Sequence, residues 1–191
     1  MPLPDELAAT LLVCAALEEL GVEHVIGGSV ASSMHGRPRS TQDVDLVADL
    51  RPEHAGRLAK ALGESFYVDE KAISDATRRR SSFNVVHLET MTKIDVFVPT
   101  NEAVVRQQFL RRVQVPVGDA PEETLWVTSP EDIILQKLIW HDAGGRRSER
   151  QLRDVLGVVE VQGSRLDREY LEHWAGVAGV ADLLAELLNR A

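Results

Sequence analysis

Residues 24–50, HVIGGSVASSMHGRPRSTQDVDLVADL, decide how the 191-residue chain is read. The apolar pair Val25-Ile26 runs into Gly27-Gly28-Ser29, after which Val30, Ala31 and Met34 recur at helical spacing, so a strand passes through a tight turn into a helix. Glycines at such a turn permit positive φ and close approach of an anion, which the free N–H groups of the following helix favour, and Ser29 adds a hydroxyl. Further on, Asp43-Val44-Asp45-Leu46-Val47 alternates with period two, which sends both carboxylates to one face of a strand and Val44 and Leu46 to the other. Like charges on one face repel, and a hard divalent cation with oxygen ligands relieves them. Taken singly, the Gly-Gly reads as a plain turn and the D-x-D as a solvated strand edge.

A third acid adds to this pattern. Lys93-Ile94-Asp95-Val96-Phe97-Val98 is a strongly apolar strand in which Asp95 sits between β-branched neighbours. If it pairs beside the Asp43 strand, three carboxylates converge next to the glycine turn, the ligand set of a two-metal phosphoryl-transfer site.

Gly27-Gly28-Ser29, thirteen intervening residues (30–42), Asp43-Val44-Asp45 and a later Ile94-Asp95-Val96 together resemble the nucleotidyltransferases of the DNA polymerase β superfamily. With His35-Gly36-Arg37-Pro38-Arg39-Ser40-Thr41-Gln42 between the two halves, the motif is similar to that of small bacterial nucleotidyltransferases, including the AbiEii-like toxins of type IV toxin–antitoxin systems. The resemblance implies an α/β (α+β) nucleotidyltransferase fold, a small mixed sheet flanked by helices with a helical C-terminal part. It also implies transfer of a nucleoside monophosphate from an NTP to a hydroxyl. In that reading Asp43, Asp45 and Asp95 are catalytic and hold Mg²⁺ or Mn²⁺, while Gly27, Gly28, Ser29, Arg39 and Thr41 contact the nucleotide. Lys137, after Ser129-Pro130-Glu131-Asp132, and Asp154, in Arg153-Asp154, stand where the related toxins carry a nucleotide-binding lysine and aspartate. The implied acceptor is the 3′ end of tRNA, with a cognate antitoxin as partner; an antibiotic or protein hydroxyl and a noncatalytic nucleotide-binding or partner-binding module are the alternatives.

Composition sets the wider frame. The chain is long enough for one well-buried domain, expected as a core over residues 1–128 with a helical extension over 129–191. Its hydrophobic fraction of 44% and charged fraction of 27% are those of a globular protein, and it lacks the long apolar run a membrane span needs. A lone cysteine, Cys14, allows no internal disulfide, and Asp5 and Glu6 stand ahead of the apolar stripe that begins at Leu7, where a secretory signal would be basic, so a cytoplasmic location is expected. The net charge of −9 disfavours nonspecific nucleic-acid binding over the whole surface, yet Arg146, Arg147, Arg150 and Arg153 form a basic strip beside Gly144-Gly145. The six histidines show no metal-ligand spacing, and no P-loop or nucleophile elbow is present.

Periodicity predicts the remaining elements. Helices are expected over 5–20, 52–64, 71–80 and 101–112, strands over 82–88, 92–98, 113–117 and 124–127, and helices again from Ser129 onward. The strands 82–88 and 92–98 are close enough for a hairpin, placing Asp95 on an antiparallel neighbour. On the helix after Ser129, Ile133, Ile134, Leu138 and Ile139 mark the apolar side, and Lys137 by composition alone reads as a solvated surface residue.

Overall fold

A computed structural model describes residues 3–41, 43–120 and 123–190. The chain runs α1 (Asp5–Glu19), β1 (His24–Ile26), α2 (Gly28–His35), β2 (Asp43–Ala48), α3 (Ala55–Leu62), β3 (Phe66–Tyr67), α4 (Glu70–Arg79), β4 (Ser82–His87) and β5 (Thr92–Phe97). It continues through α5 (Ala103–Leu110), β6 (Val113–Pro116), β7 (Thr124–Val127), α6 (Pro130–Ala143), α7 (Glu149–Gln162), α8 (Arg168–Ala178) and α9 (Ala181–Leu188). The sheet is mixed, in the order β3-β4-β5-β2-β1-β7-β6.

The glycine turn and the acidic strand are neighbours because β1 pairs antiparallel with β2, Ile26 opposite Leu46. Gly27 keeps that ladder for one more step, its N–H donating to the Asp45 carbonyl at 2.9 Å, before α2 begins. β5 forms the expected hairpin with β4, Asn84 opposite Asp95, but against β2 it runs parallel, with Asp45 opposite Asp95. The antiparallel expectation for Asp95 therefore holds for β4 and not for the strand that matters. A parallel neighbour requires a crossover, here the segment from α3 to β4.

Alternation works as the pattern demands: Val44, Leu46, Ile94 and Val96 are fully buried in the main core with Ala9, Val13 and Leu17 of α1. That core continues into Ile133, Ile134 and Leu138 of α6 and Leu183, Leu184 and Leu187 of α9. The opposite face carries Asp43, Asp45 and Val47 of β2 beside Lys93, Asp95 and Phe97 of β5. The helix expected over 52–64 is shorter, α3 being flanked by single 3₁₀ turns at Pro52–His54 and Gly63–Ser65. Among the described residues no helix is long and apolar enough to cross a membrane.

α6 starts as its sequence dictates. Ser129 caps it, accepting the Asp132 N–H at 3.1 Å with Pro130 in the first turn. Asp132 is then held by the Ser129 and Tyr170 hydroxyls, which ties the start of α6 to α8. Against expectation, α6 is buried on more than its apolar stripe, from Glu131 through Leu138 without a break. It packs against α2, α7 and α8 together, so little of its circumference meets water.

Candidate active site

Gly28 is the hinge of the site. Its φ is +56°, and a Cβ there would lie 1.7 Å from Asp45 Oδ2, so the Asp45 carboxylate occupies the volume that any other residue would fill. Gly27, by contrast, has an extended backbone, and a Cβ on it would meet the Gln136 side chain at 3.1 Å. The need for positive φ thus falls on Gly28 alone. The N–H groups that open α2 already have partners: Gly28 donates to Gln136 Oε1 at 3.3 Å and the Ser29 amide to the Asp45 carboxylate.

Asp43, Asp45 and Asp95 share one face, with Asp45 and Asp95 in register on adjacent parallel strands. Burial raises the Asp45 pKa; Lys137 opposes this, and Asp95 and, more weakly, Asp43 push it higher. Asp95 is paired with Lys93, whose Nζ lies 2.9 Å from the carboxylate. Among the described residues no three His, Cys, Asp or Glu side chains are gathered closely enough to hold a metal ion. Asp45 has the Ser29 amide beside it, and Asp95 is held by Lys93. The donor set nevertheless fits Mg²⁺ or Mn²⁺ in chemistry: three carboxylates on one face, all hard oxygen ligands, whose mutual repulsion Lys93 and Lys137 offset only in part.

The residues assigned to the nucleotide converge as well. Arg39 forks onto Asp154, Nε to Oδ1 at 2.9 Å and Nη2 to Oδ2 at 3.1 Å, and its Nη2 also donates to Ser29 Oγ. From the other side Lys137 Nζ donates to Asp154 Oδ2 at 2.7 Å. Both members of this second pair are buried, 3% and 6% exposed. Lys137 is therefore no solvated surface residue; α6 points it inward between α2 and α7, where burial lowers its pKa against the pull of Asp154. Burial acts to raise Asp154, but the hydrogen bonds from Arg39 and Lys137 outweigh it and hold the carboxylate below its usual range.

Backbone proximity makes this network possible. At Gly36 a Cβ would lie 2.7 Å from the Val158 amide, and at Gly157 it would lie 3.3 Å from that of Arg37, so the loop after α2 lies directly on α7. Gln162 clamps the same junction by donating to the His35 carbonyl. Thr41 stands at the edge, donating to the Asp43 carbonyl at 3.1 Å, and Gln42 lies outside the described residues. Of the basic strip, Arg146 is tied to Asp142 and Asp182, whereas Arg150 and Arg153 border a pocket with Arg37 and Arg39.

Two residues of the site escape sequence reasoning: Gln136, which receives the Gly28 N–H, and Lys93, which holds Asp95. Lys93 was legible as the residue two before Asp95, on the same face of the strand. Gln136 left only the weak signal of a polar residue beside Lys137 in an apolar helix.

No family model matches the sequence, and comparison with curated proteins gives no match. Solved structures do resemble it. The crystal structure of ANT(2")-Ia in complex with adenylyl-2"-tobramycin superposes with a TM-score of 0.57 at 16% identity, over 92% of this chain and 97% of that one. An antigenic nucleotidyltransferase-like protein from Paracoccidioides brasiliensis gives 0.56 at 18% identity, over 99% and 95%. The lincomycin-bound lincosamide antibiotic adenylyltransferase LnuA gives 0.50 at 12% identity, over 84% and 99%. With the mixed seven-stranded sheet, these likenesses establish that the chain has the nucleotidyltransferase fold.

Proposed function

We propose that the protein is a metal-dependent nucleotidyltransferase that moves a nucleoside monophosphate from an NTP to an acceptor hydroxyl and releases pyrophosphate. The observation that carries this reading is the register of Asp45 with Asp95 beside Gly28, with Arg39 and Lys137 meeting on Asp154 one layer away. Asp43, Asp45 and Asp95 would hold Mg²⁺ or Mn²⁺, which when bound supplies charge neutralisation at the reacting phosphate.

The chain's own groups account for the rest. Ser29, Arg39 and Lys137 form the donor cluster for the phosphates, and Asp154 positions both cations before any nucleotide arrives. Moving the Asp45 carboxylate off the Ser29 amide would free that N–H for a phosphate oxygen. The acceptor oxygen forms a bond to the α-phosphorus as the bond to the bridging oxygen of the leaving pyrophosphate breaks. Asp95 takes the hydroxyl proton.

The tRNA 3′ end, with an antitoxin as partner, is a second acceptor reading, favoured by the basic rim of Arg37, Arg39, Arg150 and Arg153. The direct experiment is label transfer from α-labelled NTPs with Mg²⁺ or Mn²⁺ into tRNA, protein and small-molecule pools. Asp45→Asn should abolish transfer, and equal labelling by that variant would refute the mechanism.

A further inference from the structure

The same face of β2 and β5 that carries the carboxylates continues into a cleft of quite different chemistry. Two residues beyond Asp45 and Asp95, about 7 Å along each strand, the outward positions are Val47 and Phe97, which pack with Val25 and Phe109. They line a cavity of about 290 Å³ walled by α5 and α6. Val105 faces it from α5, Leu135 and Ile139 from α6, and Trp140 stands at the rim, 36% exposed and tilted against Phe97 at 6.0 Å.

Ser81, Ser82, Thr100, Gln108 and Gln136 add uncharged polar groups to the mainly apolar wall, and the two charged residues of the lining, Arg80 and Asp132, are already engaged. Arg80 donates to the Pro99 carbonyl and lies 3.5 Å from Asp49, and Asp132 accepts from Ser129 and Tyr170. Thr100, in the wall, keeps a buried hydroxyl with no partner among the described residues. Gln136 belongs to both places, lining the cleft while its Oε1 accepts the Gly28 N–H.

Resting on the catalytic reading above, we propose that this cleft is the acceptor subsite and takes an uncharged, mostly apolar molecule bearing the hydroxyl to be modified. Contiguity with Asp95 sets the reactive end, since a body seated on Val47 and Phe97 reaches the carboxylates within two strand positions. The lining sets the class. A polycation finds no unpaired carboxylate there among the described residues, and an RNA strand finds no unpaired cation, its complement being the basic rim around Arg150 and Arg153. The occupied volume is that of about ten water molecules, which suits one or two rings. Gln136 then links the two subsites, because an acceptor touching its side chain bears on the Gly28 turn.

Calorimetric titration tests the proposal without turnover, using 4-phenylcyclohexanol, tobramycin, total tRNA and Mg²⁺–ATP as separate titrants. The alcohol should bind wild type at least tenfold more tightly than it binds Val105→Phe, which fills the cleft, or Trp140→Ala, which opens its rim; Mg²⁺–ATP affinity should stay within twofold in both. A tenfold loss of Mg²⁺–ATP affinity in Val105→Phe would make the cleft a nucleobase subsite and overturn the proposal. So would alcohol binding insensitive to both variants, or preferential binding and labelling of tobramycin or tRNA. With α-labelled ATP, label on the alcohol supports both readings. Alcohol binding that depends on Val105 without transfer to any pool supports the cleft as a ligand site and overturns the catalytic reading instead.

Discussion

The two ends of one sheet face differ more than any other neighbouring regions of this molecule. Around Asp45 and Asp95 the strands carry like charges held apart by provisional partners, Ser29 and Lys93, whereas at Val47 and Phe97 the same strands are apolar. Beside the first region lies a third arrangement, Arg39–Asp154–Lys137, in which every charge is paired and largely buried. On the proposed mechanism, the contrast separates groups that would change partners in function from groups that would not. Asp45 is raised by burial and its acidic neighbours, so its ionised form is costly in the resting fold; Asp154 is lowered by its two cations, so its ionised form is favoured.

Replacement of Asp154 by alanine should break the contrast most severely. It leaves Lys137 buried without its counter-ion, at a cost of about 3–5 kcal/mol, and the Tm should fall by roughly 10 °C in a thermal melt. A fall of under about 2 °C would show that the buried pair does not anchor α7 to α6. The next effect is steric. Gly28→Ala puts a Cβ into the Asp45 carboxylate and strains a positive φ, costing about 1–3 kcal/mol and nucleotide binding with it. Gly27→Ala, which displaces only the flexible Gln136 side chain, should cost visibly less in the same melt.

Asp45→Asn should act with the opposite sign, abolishing transfer while raising the Tm by a few degrees, about 2–4 °C for each kcal/mol recovered. The pH dependence sharpens this. A carboxyl whose folded pKa is raised contributes stability that is fully present below its unfolded value and is lost as pH rises through the folded one. Asp45→Asn should remove that loss. Asp154, held low, contributes stability present above the unfolded carboxylate pKa and lost as pH falls through the folded value, so Asp154→Asn should flatten the acid limb instead. Melts of both variants from pH 3 to 8 distinguish the two signatures.

The smallest effect is expected at Lys93. Its ion pair with Asp95 is open to water on the lysine side, so Lys93→Gln should change stability by under about 1 kcal/mol, yet it frees the carboxylate. The Mg²⁺ concentration giving half-maximal thermal stabilisation should drop several-fold; an unchanged value would mean that Lys93 does not compete with the metal.

Several of these features could be read before any coordinates. The period-two alternation at Asp43–Val47 and Lys93–Val98 assigns each acid to the face opposite the core, and the helix start at Ser129-Pro130 follows from capping chemistry alone. The burial of Lys137 could not be read in that way. Periodicity describes one helix against one partner, and α6 has α2, α7 and α8 around it. The positions of Lys137 and Asp154 were marked by motif resemblance, but the bond between them crosses 17 residues and the Gly144-Gly145 break. The apolar cleft left no motif, because Val47 and Phe97 look in sequence like ordinary strand residues.

What the amino-acid sequence by itself determined is local: strand, turn and helix at Gly28, the face each carboxylate takes, and the cap that starts α6. These depend on φ preferences, side-chain alternation and hydrogen bonds within a few residues. Tertiary structure decided that β5 lies parallel to β2, that Asp154 holds Arg39 and Lys137 together, and that Gln136 stands between the glycine turn and the cleft. Those relations join residues up to 115 positions apart, and they exist only once burial has removed water from between the helices.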